Sequence, residues 1–509
     1  MKALSARSAL SPLRRTRSFN NELSRRGVYA GCALLAALCL ATHWSFRDLP
    51  FFWDELGYFI PAALDLFRDG SALPHSVAPN IHPPGVMAWL SGVWSFTGYS
   101  IRATRLAMLV PATLLLWTVL LLARRLGRDL SWPYVLWPPL LLAFSPIFFT
   151  QAMMAQLDMP AALLTMVSLL AFLSERYVFA AAASLLLVLV KETGVVVPVL
   201  FGAALVRRRN PWHALSFFVP VVVLAAWLGY VARITGSPLG NPEFSHYNVL
   251  YPLHPFRAVA GLLRRLYFLG FANFHWAAFG AILVAWFRAS AFRSGTWGLI
   301  GAFAALHILL VSLTGGAQLE RYLLPLLPLF YIAAAVAWSH LPPWPRRLSQ
   351  MLLIVGLLTG LFRNPPYPFP YENNLAMVDF VRLHQQAARF LEERYPEAQF
   401  ATAWPLSVAL HRTEFGYVRR PLSVIGFLDF RPRSLAALED SRYDILVHYS
   451  RDWEPGGNWI RLPGVEPLWR RFFGYEPPLT AGQCAGRFGL VSVARWERRG
   501  QWVELLARR

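Results

Sequence analysis

The sequence has little charge and little cysteine. Only 15% of its 509 residues are charged and three are cysteines, whereas 56% are hydrophobic and the mean hydropathy is +0.40. A soluble protein of this length carries far more charge, so the composition excludes the soluble globular class. Cys32 and Cys39 lie in one apolar run and Cys484 stands alone, so we expect neither a disulfide framework nor cysteine chemistry.

Common catalytic motifs are missing as well. The chain has no GxSxG, no Walker A sequence and no GxGxxG in a strand–helix setting, so hydrolase, ATPase and Rossmann functions have no support. Its formal net charge of +20 comes from short basic clusters between apolar runs and not from one basic face. We therefore expect no nucleic-acid partner.

Long apolar runs fill the first 363 residues. A spanning helix needs roughly 17 to 25 apolar residues, and we predict about eleven such segments, several of them short. They are residues 28–46, 107–122, 132–150, 159–173, 177–190, 194–206, 214–231, 271–287, 297–313, 322–338 and 348–362. The fold class is thus a polytopic α-helical membrane protein with its transmembrane domain at residues 28–363.

Basic clusters predict the orientation of these segments. The first apolar run is preceded by Arg14, Arg15, Arg17, Arg25 and Arg26, which indicate a retained signal anchor with residues 1–27 as a cytoplasmic basic N-terminus. Arginine-rich loops then alternate with loops that hold the acidic residues. The pattern places a first outer loop at residues 47–101, containing a short interfacial helix at 85–98, and another outer loop at 233–270.

Two further features concern chain organisation. A single helix over residues 177–206 would be roughly 45 Å long against a core of about 30 Å, and it would put Lys191 and Glu192 at mid-bilayer. We predict two short helices with an outer turn at residues 191–193. Beyond a Pro-rich linker, strands predicted at 399–403, 443–448 and 488–494 and a helix at 379–394 indicate a soluble, extracytoplasmic α/β domain at residues 364–509.

Two adjacent carboxylates begin the first loop. Asp54 and Glu55 follow three aromatic residues just past the first apolar segment. Such a setting disfavours the ionised form and raises a carboxylate pKa, which suits a general base that takes a proton from a sugar hydroxyl. The alternative is that one of them caps the short helix that runs on through Asp65.

Other ionisable residues border the predicted spans on the same side. Asp158 begins a span and is a functional candidate, although it could also cap that helix. Lys191 and Arg321 could hold a lipid phosphate with help from the Tyr322 hydroxyl. The alternative is snorkelling to headgroups, or a local pair between Lys191 and Glu192.

Two weaker candidates are a distal arginine and a histidine. Arg105, at the outer end of the second span, is a further phosphate candidate. His82 could touch substrate or a metal, but no HExxH, CxxC or spaced His/carboxylate motif ties it to His246 or His254. We therefore assign no metal ligand and leave a divalent metal open as a cofactor.

The candidate residues occur in an order typical of a known superfamily. The chain resembles the GT-C glycosyltransferases, in the branch of protein O-mannosyltransferases and the lipid A aminoarabinose transferase, up to about residue 360. The motifs that carry the resemblance are Asp54-Glu55 with Tyr58, His82-Pro83-Pro84-Gly85, Leu157-Asp158-Met159-Pro160, Lys191-Glu192-Thr193 and Glu320-Arg321-Tyr322-Leu323-Leu324-Pro325.

The resemblance implies a GT-C fold in a bacterial inner membrane and a polyprenyl phosphate-linked sugar donor. It implies catalysis by Asp54 and contacts to the donor phosphate from residues resembling Arg105, Lys191, Arg321 and Tyr322. The chain departs from the aminoarabinose transferase pattern, which has Arg before the loop tyrosine and Glu-Lys before proline, at Gly57, Ile81 and His82. The departures leave the donor sugar open.

These inferences combine into one hypothesis of function. Nucleotide sugars cannot cross the bilayer, so an outer carboxylate cluster needs a donor that arrives within the membrane. We expect Asp54 to remove the proton of an extracytoplasmic lipid, glycan or protein acceptor, Glu55 or Asp158 to orient it, and Tyr58, His82 and Glu192 to line the substrate site. A transporter or lipid flippase is the main alternative, and a non-catalytic envelope assembly protein is the second.

Overall fold

A computed structural model describes residues 12–127, 130–237, 239–288, 290–453, 455 and 464–508. The first eleven residues of the predicted basic N-terminus lie outside this part of the chain. The helices up to residue 362 are α1 Pro12–His43, α2 Ile60–Asp69, α3 Gly85–Thr97, α4 Ile101–Leu126, α5 Trp132–Ala143, α6 Pro146–Gln151, α7 Asp158–Leu173, α8 Tyr177–Val190, α9 Val196–Arg207, α10 Pro211–Ser216, α11 Phe218–Thr235, α12 Pro242–Ser245, α13 Pro255–Gly270, α14 His275–Arg288, α15 Gly295–Leu313, α16 Leu327–Ser339 and α17 Pro343–Phe362.

All eleven predicted apolar runs lie on helices, but many of these helices are short or interrupted. Within the described residues, five helical stretches are long and apolar enough to cross a membrane, or six if the pair α13 and 272–288, bent by 45°, counts as one span. The run at 132–150 breaks between α5 and α6, where Pro146 removes a backbone donor.

The predicted break at residues 191–193 is confirmed. Helix α8 ends at Val190, Lys191 is extended, and a 3-10 turn at Glu192–Val195 leads into α9. The short helix predicted at 85–98 is also present as α3, which packs closely on α8. A Cβ atom on Gly85 would lie 2.5 Å from the carbonyl oxygen of Leu189, so only glycine permits this approach.

The C-terminal region folds around a five-stranded sheet. Its strands are β1 Gln399–Ala403, β2 Ser423–Phe427, β3 Ile445–Tyr449, β4 Leu490–Arg498 and β5 Gln501–Arg508, in the order β2-β1-β3-β5-β4. Strand β1 pairs in parallel with β2 and β3, whereas β5 is antiparallel to β3 and β4. The helices are α18 Ala376–Arg394, α19 Leu406–His411, α20 Pro432–Leu435, α21 Val465–Phe473 and α22 Ala481–Phe488. The α/β class predicted for this region is therefore confirmed.

Hydrogen bonds to backbone carbonyls join this C-terminal region to the first loop. The hydroxyl of Tyr417 donates to the carbonyl of Phe51 over 2.8 Å, and the Phe51 N–H donates to the carbonyl of Phe415 over 3.3 Å. The Tyr99 hydroxyl donates to the carbonyl of Glu414 over 2.6 Å. The first loop is thus held between the helices and the sheet domain.

Candidate functional site

The first loop turns sharply just before its two carboxylates. Trp53 has a φ of +48°, a left-handed conformation that is costly for a bulky residue. Its ring packs edge-on against Trp404 of the sheet domain, with centroids 5.0 Å apart. A π-helical turn at Glu55–Phe59 follows. This geometry sends the carboxylates of Asp54 and Glu55 to different partners.

Glu55 forms a buried ion pair with Arg105. The two side chains are 0% and 1% exposed, and the guanidinium donates to both carboxylate oxygens over 2.6 and 3.0 Å. The carboxylate also accepts the backbone N–H groups of Phe52 and Ala155. The remaining N–H groups of Arg105 donate to the carbonyls of Leu49, Pro50 and Met153. The pair is therefore saturated and ties the loop to α4, and neither group has capacity left for a substrate.

Arg321 is the hub of a second cluster and is also buried. Its Nη2 donates to Asp54, and its Nη1 donates to Glu372 over 2.8 Å and to the Gln156 side-chain oxygen over 2.6 Å. Its Nε lies 3.2 Å from a carboxylate oxygen of Asp158. One guanidinium thus gathers three carboxylates and one amide oxygen from distant parts of the chain, which is more acceptors than the three N–H groups of an ammonium can meet.

A cationic environment surrounds the ring of Tyr322. Lys191 donates to Asp158, and its Nζ lies 4.4 Å above the Tyr322 ring. The guanidinium carbons of Arg265 and Arg321 each lie 5.7 Å from the same ring. Three cations thus converge on one phenol, and we call the space beside them the cationic pocket. Lys191 and Arg321 are paired with carboxylates, so within the described residues Arg265 is the cation of this pocket whose charge is left for an anionic ligand.

Arg265 was not predicted from the sequence. It is 2% exposed and donates to the carbonyls of Val311 and Leu319 over 2.6 and 3.4 Å, and within the described residues its nitrogens pair with no carboxylate. A buried cation without a counter-charge is costly unless a ligand supplies one. The sequence did contain a signal for Arg265. Arg264-Arg265 lie in a loop predicted to be extracytoplasmic, whereas the positive-inside rule places most arginines in cytoplasmic loops.

Glu372 is a second residue that sequence reasoning missed. It lies on a 3-10 turn at Tyr371–Asn373, within the linker that follows α17, and is 3% exposed. Burial raises its pKa to about 7; Arg321 opposes the shift, whereas Asp54 and Asp158 add to it. The polar run that ends the Pro-rich linker was its only local signal.

His82 and Glu192 form a third, smaller cluster. Nδ1 of His82 lies 3.0 Å from a carboxylate oxygen of Glu192. Burial alone would raise the pKa of Glu192, but His82 and Lys191 outweigh it and lower that pKa to about 2. The ring of Tyr58 packs edge-on near His82, and burial raises the Tyr58 pKa. These contacts place all three residues beside the turn that carries Lys191.

A narrow crevice begins at the cationic pocket. Its polar wall includes Lys191, His307 and Tyr322. An adjoining narrow space is lined by Leu169, Phe201, Leu299 and Ile300, and both share Thr165, Val197 and Phe303. The crevice is therefore cationic at one end and apolar at the other, between α7, α9 and α15.

The loop predicted at 233–270 covers part of this region. Phe244 packs edge-on against the His82 ring with centroids 5.3 Å apart. Gly316 lies so close to Tyr247 that a Cβ would come within 2.0 Å of the Tyr247 carbonyl oxygen. The loop therefore packs against both the first outer loop and the segment that precedes Glu320.

A metal-like cluster lies elsewhere, on α2 and the loop after it. Within the described part of the chain, the one group of at least three His, Cys or acidic residues with convergent ligand atoms is Asp65, Asp69 and His75. Asp65 already accepts the backbone N–H groups of His75 and Ser76, each over 2.9 Å, so its role is to fix that loop. His246 and His254 belong to no such group in that part of the chain.

Comparisons with known proteins bear on the fold. No protein-family model and no curated protein matches the sequence. Crystal structures of ArnT from Cupriavidus metallidurans, bound to undecaprenyl phosphate and in the apo state, each align with a TM-score of 0.52 and 15% identity over 93% of this chain and 97% of theirs. The chain has a GT-C fold.

The archaeal oligosaccharyltransferase AglB from Archaeoglobus fulgidus, in complex with an inhibitory peptide and a dolichol-phosphate, is also similar. It aligns at 11% identity and a TM-score of 0.49, covering 84% of this chain and 69% of that one. The GT-C fold agrees with the resemblance of the motifs. With the apolar helices, it makes the chain a multi-pass membrane protein.

The sequence departs from the aminoarabinose transferase pattern at Gly57, and the packing around this residue leaves no room for a side chain. A Cβ on Gly57 would lie 2.8 Å from Cζ2 of Trp404. The sheet domain thus fills the space that an arginine at this position needs. The departure is accommodated by packing between the domains.

Proposed function

We propose that this chain is a membrane glycosyltransferase that transfers a sugar from a polyprenyl phosphate-linked donor to an extracytoplasmic lipid, glycan or protein acceptor. One observation carries the proposal. Arg321 joins the accessible carboxylate of Asp54 to a cationic pocket that continues into an apolar crevice. A lipid phosphate needs the pocket and the crevice, and sugar transfer needs the carboxylate.

The donor phosphate binds at the cationic end of the crevice. Lys191 and Arg265 provide charge on two sides of Tyr322, and the buried positive charge of Arg265 is neutralised by the phosphate. The first isoprene units lie against the apolar wall formed by α7, α9 and α15. Undecaprenyl phosphate and dolichol-phosphate are bound in the ArnT and AglB structures, and we propose a lipid of this class here.

Asp54 is the general base of the proposed reaction. Its side chain is 31% exposed, whereas those of Asp158 and Glu372 are 5% and 4% exposed, so Asp54 is the carboxylate that an acceptor can reach. Asp54 takes the hydroxyl proton of the acceptor while the acceptor oxygen attacks the anomeric carbon. The bond from that carbon to the phosphate oxygen breaks, and the phosphate leaves with the electron pair.

The other predicted residues position these groups. Arg321 and Lys191 stabilise the charge that develops on the leaving phosphate, and Asp158 orients both cations. The saturated pair of Glu55 and Arg105 fixes the loop that carries Asp54, so we assign it a positioning role in place of substrate contact. His82 and Glu192 hold that loop against the turn at Lys191, beside Tyr58.

We place the site on the outer face of a bacterial inner membrane, with the N-terminus in the cytoplasm and the sheet domain extracytoplasmic. The alternation of arginine-rich and acidic loops supports this orientation. Reporter fusions after residues 127, 209 and 363 test it. A sheet domain on the cytoplasmic side would contradict the proposed donor.

Transfer is tested with purified protein. Lipid-linked sugars that copurify are identified by mass spectrometry and then used as donors with extracted envelope acceptors. Asp54→Asn is compared with Asp48→Asn, which removes an exposed carboxylate from the same loop. We expect Asp54→Asn to lose at least about 100-fold in turnover and Asp48→Asn to retain it. Equal turnover of Asp54→Asn and wild type would remove Asp54 as the base.

A further inference from the structure

The linker between the last apolar helix and the sheet domain enters the proposed site. Its 3-10 turn at Tyr371–Asn373 is anchored on both sides. Thr150 of α6 donates its hydroxyl to the carbonyl of Glu372 over 2.6 Å, and the Asn373 amide donates to Glu320. The Tyr371 hydroxyl donates to the carbonyl of Asp452 in the sheet domain over 2.9 Å. The position of Glu372 is therefore fixed by both domains.

We propose that Glu372 is a third acidic residue of the site, a positioning residue that holds one arm of Arg321 so that the other arm meets Asp54, and that it takes up a proton when the lipid phosphate binds. The assignment rests on the proposed function. It gives the linker a part in the reaction beyond connecting two domains.

The geometry of the guanidinium supports the positioning role. Nη1 of Arg321 donates to Glu372 over 2.8 Å, and Nη2 donates to Asp54 on the other side of the fork. Because the fork is planar and rigid, fixing one arm fixes the direction of the other. Asp54 is the more exposed of the two carboxylates, so Glu372 is the anchor and Asp54 is the group presented to the acceptor.

The charge of the cluster supports the proton uptake. Three carboxylates, Asp54, Asp158 and Glu372, face two cations, Arg321 and Lys191, so the fully ionised cluster carries one net negative charge. A lipid phosphate adds more negative charge, and like charges favour protonation of the most buried carboxylate. The pKa of Glu372, already raised to about 7 by burial, places this uptake near neutral pH.

Elements packed against the linker turn bring few other charges to Glu372. Helix α6 contributes the uncharged side chains of Thr150 and Gln151. Helix α18 carries Asp379, which is paired with Arg498, and His384, whose pKa burial lowers to about 3. The 3-10 turn at Glu320–Leu326 brings Glu320, which accepts from the Asn373 amide and is paired with Arg264. The charges that act on the pKa of Glu372 are those of Arg321, Asp54 and Asp158.

The test compares Glu372→Gln with Glu397→Gln, which removes an exposed carboxylate from the sheet domain. Turnover of the lipid-linked donor is measured from pH 5.5 to 8.5. We expect Glu372→Ala to lose on the order of 100-fold in kcat, because Arg321 is then less well fixed. Glu372→Gln still accepts from Arg321, as the protonated carboxyl does, so we expect it to keep most of kcat and to lose an ionisation near pH 7 from the pH profile. Glu397→Gln keeps both. Full kcat in Glu372→Ala, or an unchanged pH profile in Glu372→Gln, overturns the assignment.

A second readout does not depend on turnover. Binding of undecaprenyl phosphate is followed by calorimetry at pH 7 in two buffers with different ionisation enthalpies, which counts the protons taken up. We expect proton uptake in the wild type and in Glu397→Gln, and almost none in Glu372→Gln. Equal proton uptake in all three proteins overturns the role assigned to Glu372 and leaves the proposed function standing. Absence of lipid binding in the wild type overturns the proposed function, and this assignment with it.

Discussion

Asp54 and Glu55 are adjacent in the sequence, but their carboxylates bind two different arginines. Glu55 is fully buried and chelated by Arg105, whereas Asp54 is partly exposed and binds one arm of Arg321. The left-handed backbone of Trp53 and the π-helical turn after it make this divergence possible. One carboxylate therefore fixes the loop, and its neighbour faces the space that a substrate can enter.

This division of roles gives the first prediction. Glu55→Gln leaves the Arg105 charge buried without a counter-charge and should destabilise the protein by about 3 to 5 kcal/mol. Asp54→Asn should change stability little and abolish transfer. Thermal unfolding in detergent and turnover separate the two effects. A double variant with Glu55→Gln and Arg105→Gln should be less destabilised than the sum of its single changes; additive losses would argue against the pair.

The second prediction concerns the shape of the hub cation. Arg321→Lys keeps the charge but reaches fewer of the carboxylates that the guanidinium now gathers. We expect a loss of about 100-fold in kcat and a smaller change in KM for the donor. Steady-state kinetics over a range of donor concentrations give both numbers. Arg347→Lys, on α17, is the matched control and should behave as wild type.

The third prediction rests on an unusual residue choice. Only Lys2 and Lys191 are lysines among the 48 Lys and Arg residues, so this chain uses arginine at nearly every other basic position. Lys191 fits between Asp158 and the face of Tyr322 as a compact ammonium group. We expect Lys191→Arg to weaken undecaprenyl phosphate binding by about tenfold, measured by calorimetry. Unchanged affinity would remove Lys191 from the phosphate site.

Much of the fold was predictable because it depends on local patterns. Apolar runs predicted the helices, and the ionisable pair at Lys191 predicted a break because a continuous helix would bury it in lipid. Strand β1 was predicted with its observed bounds. Long helices that cross a membrane were predicted less well, since several apolar runs fold as short or broken helices.

The site was predicted only in part because its contacts are long-range. Arg321 meets Gln156 and Glu372 across 165 and 51 residues, and no local pattern encodes such a meeting. The sequence also does not distinguish an arginine that binds ligand from one that is saturated inside the protein. Arg105 and Arg265 illustrate the difference, since the first has its carboxylate and the second lacks one within the described residues.

The fourth prediction uses the pH dependence of stability. The pKa of Glu372 is raised by burial from an ordinary 4.5 to about 7, so below pH 4.5 the group is protonated in both the folded and unfolded states. As the pH rises from 4.5 to 7, only the unfolded state loses this proton, and the contribution of Glu372 to stability falls. We expect the melting temperature of the wild type to decline more steeply over this range than that of Glu372→Gln. Parallel curves would contradict the raised pKa.

The fifth prediction concerns the contact between the first loop and the sheet domain. A methyl group at Gly57 would lie 2.8 Å from Cζ2 of Trp404, whose ring is held edge-on against Trp53. Gly57→Ala must therefore displace the tryptophan, at a cost of about 1 to 3 kcal/mol. Melting temperatures of Gly57→Ala, Trp404→Ala and the double variant form a thermodynamic cycle.

In that cycle, Trp404→Ala removes the ring that the new methyl group would strike, so we expect Gly57→Ala to cost less in the Trp404→Ala background than in the wild type. Because the Trp404 contact also helps to hold Trp53, and with it the turn before Asp54, the single change Gly57→Ala should lower turnover as well. Equal costs in both backgrounds would mean that the loop and the sheet domain are not in contact at Gly57, and that packing between the domains does not account for the glycine at this position.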